Sequence, residues 1–181
     1  MKNAVQIIEY FYPEDTPFRQ MLLLHSSQVR QKALEIAAAS PVPVDLEIVS
    51  TGAMLHDIGI GKCHAPSILC EGQEPYIRHG ILGAEMLRQY DPALEIYARI
   101  CERHTGSGLT AGDIQSQYLP LPPKDFLPET PEEKLLCLAD KFYSKSGDMQ
   151  EKKLEQVRRS MEKFGPAAIQ RFEDLLSFFG K

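Results

Sequence analysis

Apolar residues recur at three- and four-residue spacing along most of this chain, the period of helices with one buried face. Residues 3–11 carry Ala4, Val5, Ile7, Ile8 and Phe11 on such a period, closed by Tyr12-Pro13. The strongest helical segment is 17–39. Thr16 is placed to cap it, Pro17 to open it, and Phe18, Met21, Leu22, Val29, Ala33, Ile36 and Ala37 to form its inner face. Ser40-Pro41 closes that segment. A second helix is expected from Asp45, through Leu46, Val49, Ala53 and Met54, to His56-Asp57, where Gly59 and Gly61 break it.

Residues 62–75, with Pro66, Gly72 and Pro75, read as an irregular loop with one helical turn around 67–69. Helix is expected again over 76–89, then from the Asp91-Pro92 cap to about His104. The Gly- and Pro-rich stretch 106–131 holds one short helical candidate near 111–117. Thr130-Pro131-Glu132-Glu133 opens the next helix with an N-cap, a first-turn proline and first-turn acids, and it carries Leu135, Leu136, Leu138, Ala139, Asp140 and Phe142. Helices over 150–164 and 166–179, divided by Gly165-Pro166, complete the pattern. No alternating run of β-branched residues is long enough for a sheet, so the fold class is all-α. The 181 residues are expected to form one domain, with a core over about 17–145 and C-terminal helices over about 150–179 packed on it.

Composition changes this picture little. Hydrophobic residues make up 43% and charged residues 25%, ordinary values for a globular protein. A net charge of -5 argues against an extended nucleic-acid surface, which needs basic excess. Met1-Lys2-Asn3-Ala4 lacks the basic-then-apolar pattern of a secretory leader, and no apolar run reaches membrane-spanning length. Cys63, Cys70, Cys101 and Cys137 are scattered without a C-x-x-C pair, which disfavours a disulfide framework or a zinc knuckle. Together these point to a reduced, cytoplasmic protein. Whether it works as a monomer or a homodimer is left open.

The chemistry is concentrated in His25, His56-Asp57 and Asp140. A lone histidine such as His25 on the inner side of a helix is more often a packed side chain than a ligand. The flanks alter that balance. Gly52-Ala53-Met54-Leu55 delivers His56-Asp57 from an apolar helix into glycines, and Asp140 ends the apolar run Leu135-Leu136-Cys137-Leu138-Ala139. A buried carboxylate is costly unless paired or coordinated. Imidazole and carboxylate without thiolate is a ligand set for divalent Fe, Mn, Co, Ni or Zn.

The order His25, His56-Asp57, Asp140, with the string Leu55-His56-Asp57-Ile58-Gly59, resembles the HD-domain phosphohydrolases of the HDIG type. The likeness extends over Leu24-His25-Ser26, Arg78-His79-Gly80 with Ala84-Glu85, and Glu102-Arg103-His104-Thr105-Gly106. The block Leu121-Pro122-Pro123-Lys124-Asp125, leading through Pro128-Glu129-Thr130 to Ala139-Asp140-Lys141, resembles the small stand-alone bacterial and archaeal members. That resemblance implies a helical bundle that hydrolyses a phosphate ester or anhydride with metal-activated water. By motif position, His25, His56, Asp57 and Asp140 would hold one metal, and Asp57 would bridge to a second held by His79 and His104. One ion or two both remain open, since His79 and His104 could instead contact substrate phosphate or be exposed.

Asp57 and Lys62 are the candidate catalytic residues, and Lys62 and Lys141, the cations nearest the ligands in sequence, the candidate phosphate binders. Solvated surface charge is the equally weighted alternative for both lysines. His64 stays outside the ligand set. The substrate is expected to be a small phosphorylated metabolite, a nucleotide or a dinucleoside polyphosphate, with a catalytically silent metal- and nucleotide-binding module as the alternative. The cyclic-di-GMP phosphodiesterase branch has paired histidines and a Gly-Tyr-Pro after the glycines; the single His104 and the Leu109 after Gly108 depart from it, and cyclic-di-GMP is not assigned as substrate.

Overall fold

The computed structural model describes residues 3–180; Met1, Lys2 and Lys181, which the leader and one-domain readings include, lie outside them. Asn3 caps α1 (Ala4–Phe11) with a reciprocal capping box to Gln6. Thr16 caps α2 (Pro17–Ala38), its hydroxyl accepting from Arg19 N, and Asp45 caps α3 (Leu46–Leu55), accepting from Glu47 N and Ile48 N. Then come α4 (His79–Tyr90), α5 (Glu95–Arg103) and α6 (Ala111–Ser116). A further capping box, Thr130 with Glu133, starts α7 (Pro131–Ala139), and α8 (Leu154–Met161) and α9 (Pro166–Phe178) follow. The fold is all-α, and no described helix is long and apolar enough to cross a membrane.

Two local expectations are corrected. The 62–75 segment is not wholly irregular: its helical turn (Pro66–Ile68) is flanked by a two-stranded antiparallel ribbon, β1 (His64–Ala65) with β2 (Cys70–Glu71). Strands of two residues lie below any periodicity that a sequence can display. Nor is it the glycines that end the helix: α3 stops at Leu55, and Gly59 and Gly61 both lie inside a 3-10 segment (Ile58–Lys62) that follows a turn at His56-Asp57. Close approach is what these glycines serve. A Cβ on Gly59 would fall 2.2 Å from His79 O and 2.3 Å from Gly83 N, and one on Gly61 would fall 2.7 Å from the Tyr12 ring.

Two apolar clusters build the interior. One joins Val29 and Ala33 of α2, Val49 and Ala53 of α3, Leu135, Leu136 and Leu138 of α7, and Phe172, Leu176 and Phe179 at the C-terminal end. The other joins Ile7 and Ile8, Leu22, Met54, Leu55, Ile58, Leu87 and Leu94. The seam between them passes through α2 between Leu22 and Val29, and through the end of α3. His25 and His56 lie on that seam, fully enclosed by protein.

Candidate metal centre

Helix ends carry most of the donors. His56 follows the last residue of α3, His79 is the first residue of α4, His104 follows α5, and Asp140 follows α7. His25 alone sits inside a helix. Three of the imidazoles are fixed alike: Nδ1 lies 2.7 Å from Ala53 O in His56, 2.7 Å from Tyr76 O in His79 and 2.8 Å from Cys101 O in His104. A carbonyl only accepts, so each Nδ1 carries a proton and each Nε2 is turned inward. This is the usual way a protein orients imidazole for a metal.

Asp57 stands at the centre, with no exposed surface. Its Oδ2 lies 3.3 Å from His25 Nε2 and 3.2 Å from His56 Nε2; its Oδ1 lies 3.3 Å from His104 Nε2 and 3.6 Å from His79 Nε2. Asp140 Oδ1 completes the first group at 3.0 Å from His25 Nε2 and 3.4 Å from His56 Nε2. Two donor sets result, His25–His56–Asp57–Asp140 and Asp57–His79–His104, each with its donor atoms within 4.8 Å of one another. Ligands about 2.1 Å from a common ion lie roughly 3.0 Å apart at a right angle and roughly 3.4 Å apart at the tetrahedral angle. The donor separations fall around those lengths.

A metal fits the donor chemistry better than a proton does, above all in the second set. His79 Nε2 and His104 Nε2 face each other at 3.0 Å. Burial, reinforced by the adjacent His104, lowers the His79 pKa to about 3, and burial lowers His104 as well. Both rings are therefore neutral. If both Nδ1 atoms donate to their carbonyls, two lone pairs collide; if one ring flips its tautomer, its Nδ1 lone pair meets a carbonyl oxygen instead. Neither arrangement satisfies every atom, whereas a cation between the Nε2 atoms does. Asp57 Oδ1, moreover, accepts no hydrogen bond despite complete burial. In the first set a proton is an alternative partner. Burial opposes charge on His56, but Asp57 and Asp140 outweigh it and raise its pKa to about 9.

Lys145 was not signalled by the sequence. Its Nζ lies 2.7 Å from Asp57 Oδ2 and 3.8 Å from Asp140 Oδ1. Burial opposes ionisation of both carboxyls. Lys145 and His56 nevertheless hold Asp57 well below the usual carboxylate range, and Lys141 and Lys145 do the same for Asp140. Lys141 Nζ lies 2.7 Å from Asp140 Oδ2 and donates to His104 O at 3.2 Å. Lys62, nominated by its nearness in sequence, is not brought to this centre. The 3-10 turn after Asp57 carries it to an exposed position on a different cavity, beside Gly72, Gln73 and Glu74. Position along the chain is a poor guide once a tight turn reverses it. His64 is exposed, in β1.

A cleft of about 710 Å³ opens onto the centre, lined by His79, His104 and Asp140, by Lys141 and Lys145, and by Tyr76, whose ring stacks on His79 at 4.7 Å. Gly106 and Gly108 line it too, both in the left-handed region, at φ 60° and 88°. That conformation suits glycine and lets the backbone run close to a ligand.

Residues 22–144 match the family model described as HD domain. The chain is similar to an uncharacterised protein of Methanocaldococcus jannaschii, 40% identical over 121 residues, 64% of this chain and 62% of that protein. It is also similar to two proteins named tRNA (cytidine(56)-2'-O)-methyltransferase. The one from Picrophilus torridus is 38% identical over 68% of this chain and 32% of its own length; the one from Thermoplasma volcanium is 32% identical over 80% and 37%. The match thus spans less than two thirds of each relative. No solved structure matches significantly.

Proposed function

The chain belongs to the HD-domain family, and from that premise we propose that it is a metal-dependent phosphohydrolase acting on a small phosphorylated metabolite, a nucleotide or dinucleoside polyphosphate. The observation that carries this is the 3.0 Å approach of His79 Nε2 to His104 Nε2, beside the buried Asp57 Oδ1, which accepts no hydrogen bond. His25, His56 and Asp140 with Asp57 Oδ2 would hold one divalent ion, and His79 and His104 with Asp57 Oδ1 a second. Such ions supply Lewis-acid charge and acidify water towards neutral pH.

The chain's own groups do the rest. Asp57, Ala53 O, Tyr76 O and Cys101 O fix the imidazoles, so that little reorganisation accompanies the reaction. Lys141 and Lys145 stand at the cleft floor, where non-bridging phosphate oxygens would gather charge in an in-line displacement. The donor side chains are buried, which strengthens each of these interactions.

Methyl transfer is not the activity proposed. The two relatives so named are matched over about a third of their length, and six His and Asp donors around one centre are hydrolytic rather than methyl-transferring equipment. A second reading, a module that binds metal and nucleotide without turnover, draws on one observation: Lys141 and Lys145 already neutralise both carboxylates. Phosphate release from a nucleotide panel with Mn²⁺, Fe²⁺, Co²⁺ or Ni²⁺ separates them. Product that is lost in Asp57→Asn supports the hydrolase; tight nucleotide binding without product favours the module.

A further inference from the structure

The cleft extends beyond the centre, and its outer wall is built from residues past the end of the family match at 144: Lys152, Ser160, Met161, Lys163, Phe164 and Arg171. Five cations border the space, Lys141, Lys145, Lys152, Lys163 and Arg171, against Asp113 and Asp140 in the lining and Asp57 beneath. Three of the five are spoken for. Lys145 pairs with Asp57, Lys141 with Asp140, and Arg171 with Asp113 at 2.8 Å. Lys152 and Lys163 form no ion pair among the described residues.

That is an unusual economy in a chain with five more acids than bases. Lys163 is exposed, its Nζ 4.8 Å from the centre of the Phe164 ring. Lys152 Nζ approaches Lys141 O at 3.5 Å, and Lys152 is half-buried. Burial makes its charge costlier; Asp140 favours that charge, and Lys141, Lys145 and Lys163 repel it. Mutual repulsion of this kind is sustained where a multivalent anion relieves it.

We propose that Lys152 and Lys163 form a distal anion subsite that selects a polyphosphate over a monophosphate, with the reacting phosphate at the metal centre and the following phosphates reaching outward along this wall. This rests on the phosphohydrolase reading for the placement of the reacting group, while the subsite itself is defined by the C-terminal segment. The two lysines are specificity residues and touch no reacting atom.

The test uses full-length protein freed of metal by chelator, so that binding reports on the lysines alone. Inorganic tripolyphosphate and orthophosphate are titrated calorimetrically. Tripolyphosphate is expected to bind at least about tenfold more tightly, the worth of one or two charge-assisted contacts. Lys152→Gln/Lys163→Gln should abolish that preference; Lys124→Gln, exposed and outside the cleft, should keep it. Absence of a preference, or a preference unchanged in the double variant, overturns the proposal. Should the double variant fail to fold, Lys163→Gln, at an exposed position, is expected to reduce the preference and overturns the proposal if it does not. With metal restored, the double variant should raise KM for a nucleoside triphosphate and leave KM for a monophosphate ester unchanged; equal loss on both counts against it. No turnover of any phosphate compound by the unaltered protein would sink the hydrolase reading, and the tripolyphosphate titration would still decide the subsite.

Discussion

His79 and His104 point their Nε2 atoms at each other across 3.0 Å, with each Nδ1 already committed to a backbone carbonyl. With both rings held neutral by burial, no placement of protons satisfies every ring nitrogen. His79→Ala should therefore cost the second ion and spare the first, lowering bound metal from two per chain to one by elemental analysis. The same change removes a lone-pair conflict, so the chelated variant should melt within a few degrees of the unaltered protein. Retention of two ions would refute the assignment of His79.

Asp57 and Lys145 form a buried pair at 2.7 Å, with the carboxylate fully enclosed. Removing one partner strands the other, at about 3 kcal/mol. Asp57→Ala is expected to abolish metal binding and phosphate release, and in chelator to lower unfolding free energy by about that amount. Asp57→Ala/Lys145→Ala should recover part of the loss in urea titrations. Simple additivity of the two single changes would show that the pair is not coupled.

Gly59 is the point where the turn after Asp57 meets α4. A Cβ 2.2 Å from His79 O and 2.3 Å from Gly83 N can be housed only by moving backbone. Gly59→Ala should destabilise by about 3 kcal/mol, the scale of severe overpacking. It should also weaken metal binding by displacing His79. An unaltered melting temperature would contradict the close packing described for this turn.

Asp113 accepts from Thr110 N at 2.9 Å and pairs with Arg171, tying α6 to α9. Burial opposes its ionisation, but Thr110 and Arg171 hold its pKa below the ordinary aspartate value of 3.8. A folded-state pKa below the unfolded value gives stability that is present above about 3.8 and lost as pH falls through the folded value. Asp113→Asn should destabilise by about 1 kcal/mol at neutral pH, and the difference should shrink as pH drops below that range. A difference that grows on acidification would have the wrong sign.

Much of this was legible in the chain. Thr16, Asp45 and Thr130 announce their helices because a cap is a local hydrogen-bond contract between neighbours. His25, His56, Asp57 and Asp140 stand out because charged groups amid apolar runs need a partner. Lys145 was hidden, since its place beside Asp57 comes from the loop after Phe142, which has no periodicity. Lys62 misled for the opposite reason: adjacency to the motif suggested a contact that the 3-10 turn prevents. The roles of Gly59 and Gly61 as sites of close approach are likewise visible only once α4 and Tyr12 are in place.

The most direct test is a structure of the protein loaded with Mn²⁺ or Fe²⁺, with anomalous scattering used to place the metal. Two peaks flanking Asp57 are expected, one among His25, His56 and Asp140 and one beside His79 and His104. A loaded protein with no anomalous peak beside Asp57 would contradict the account.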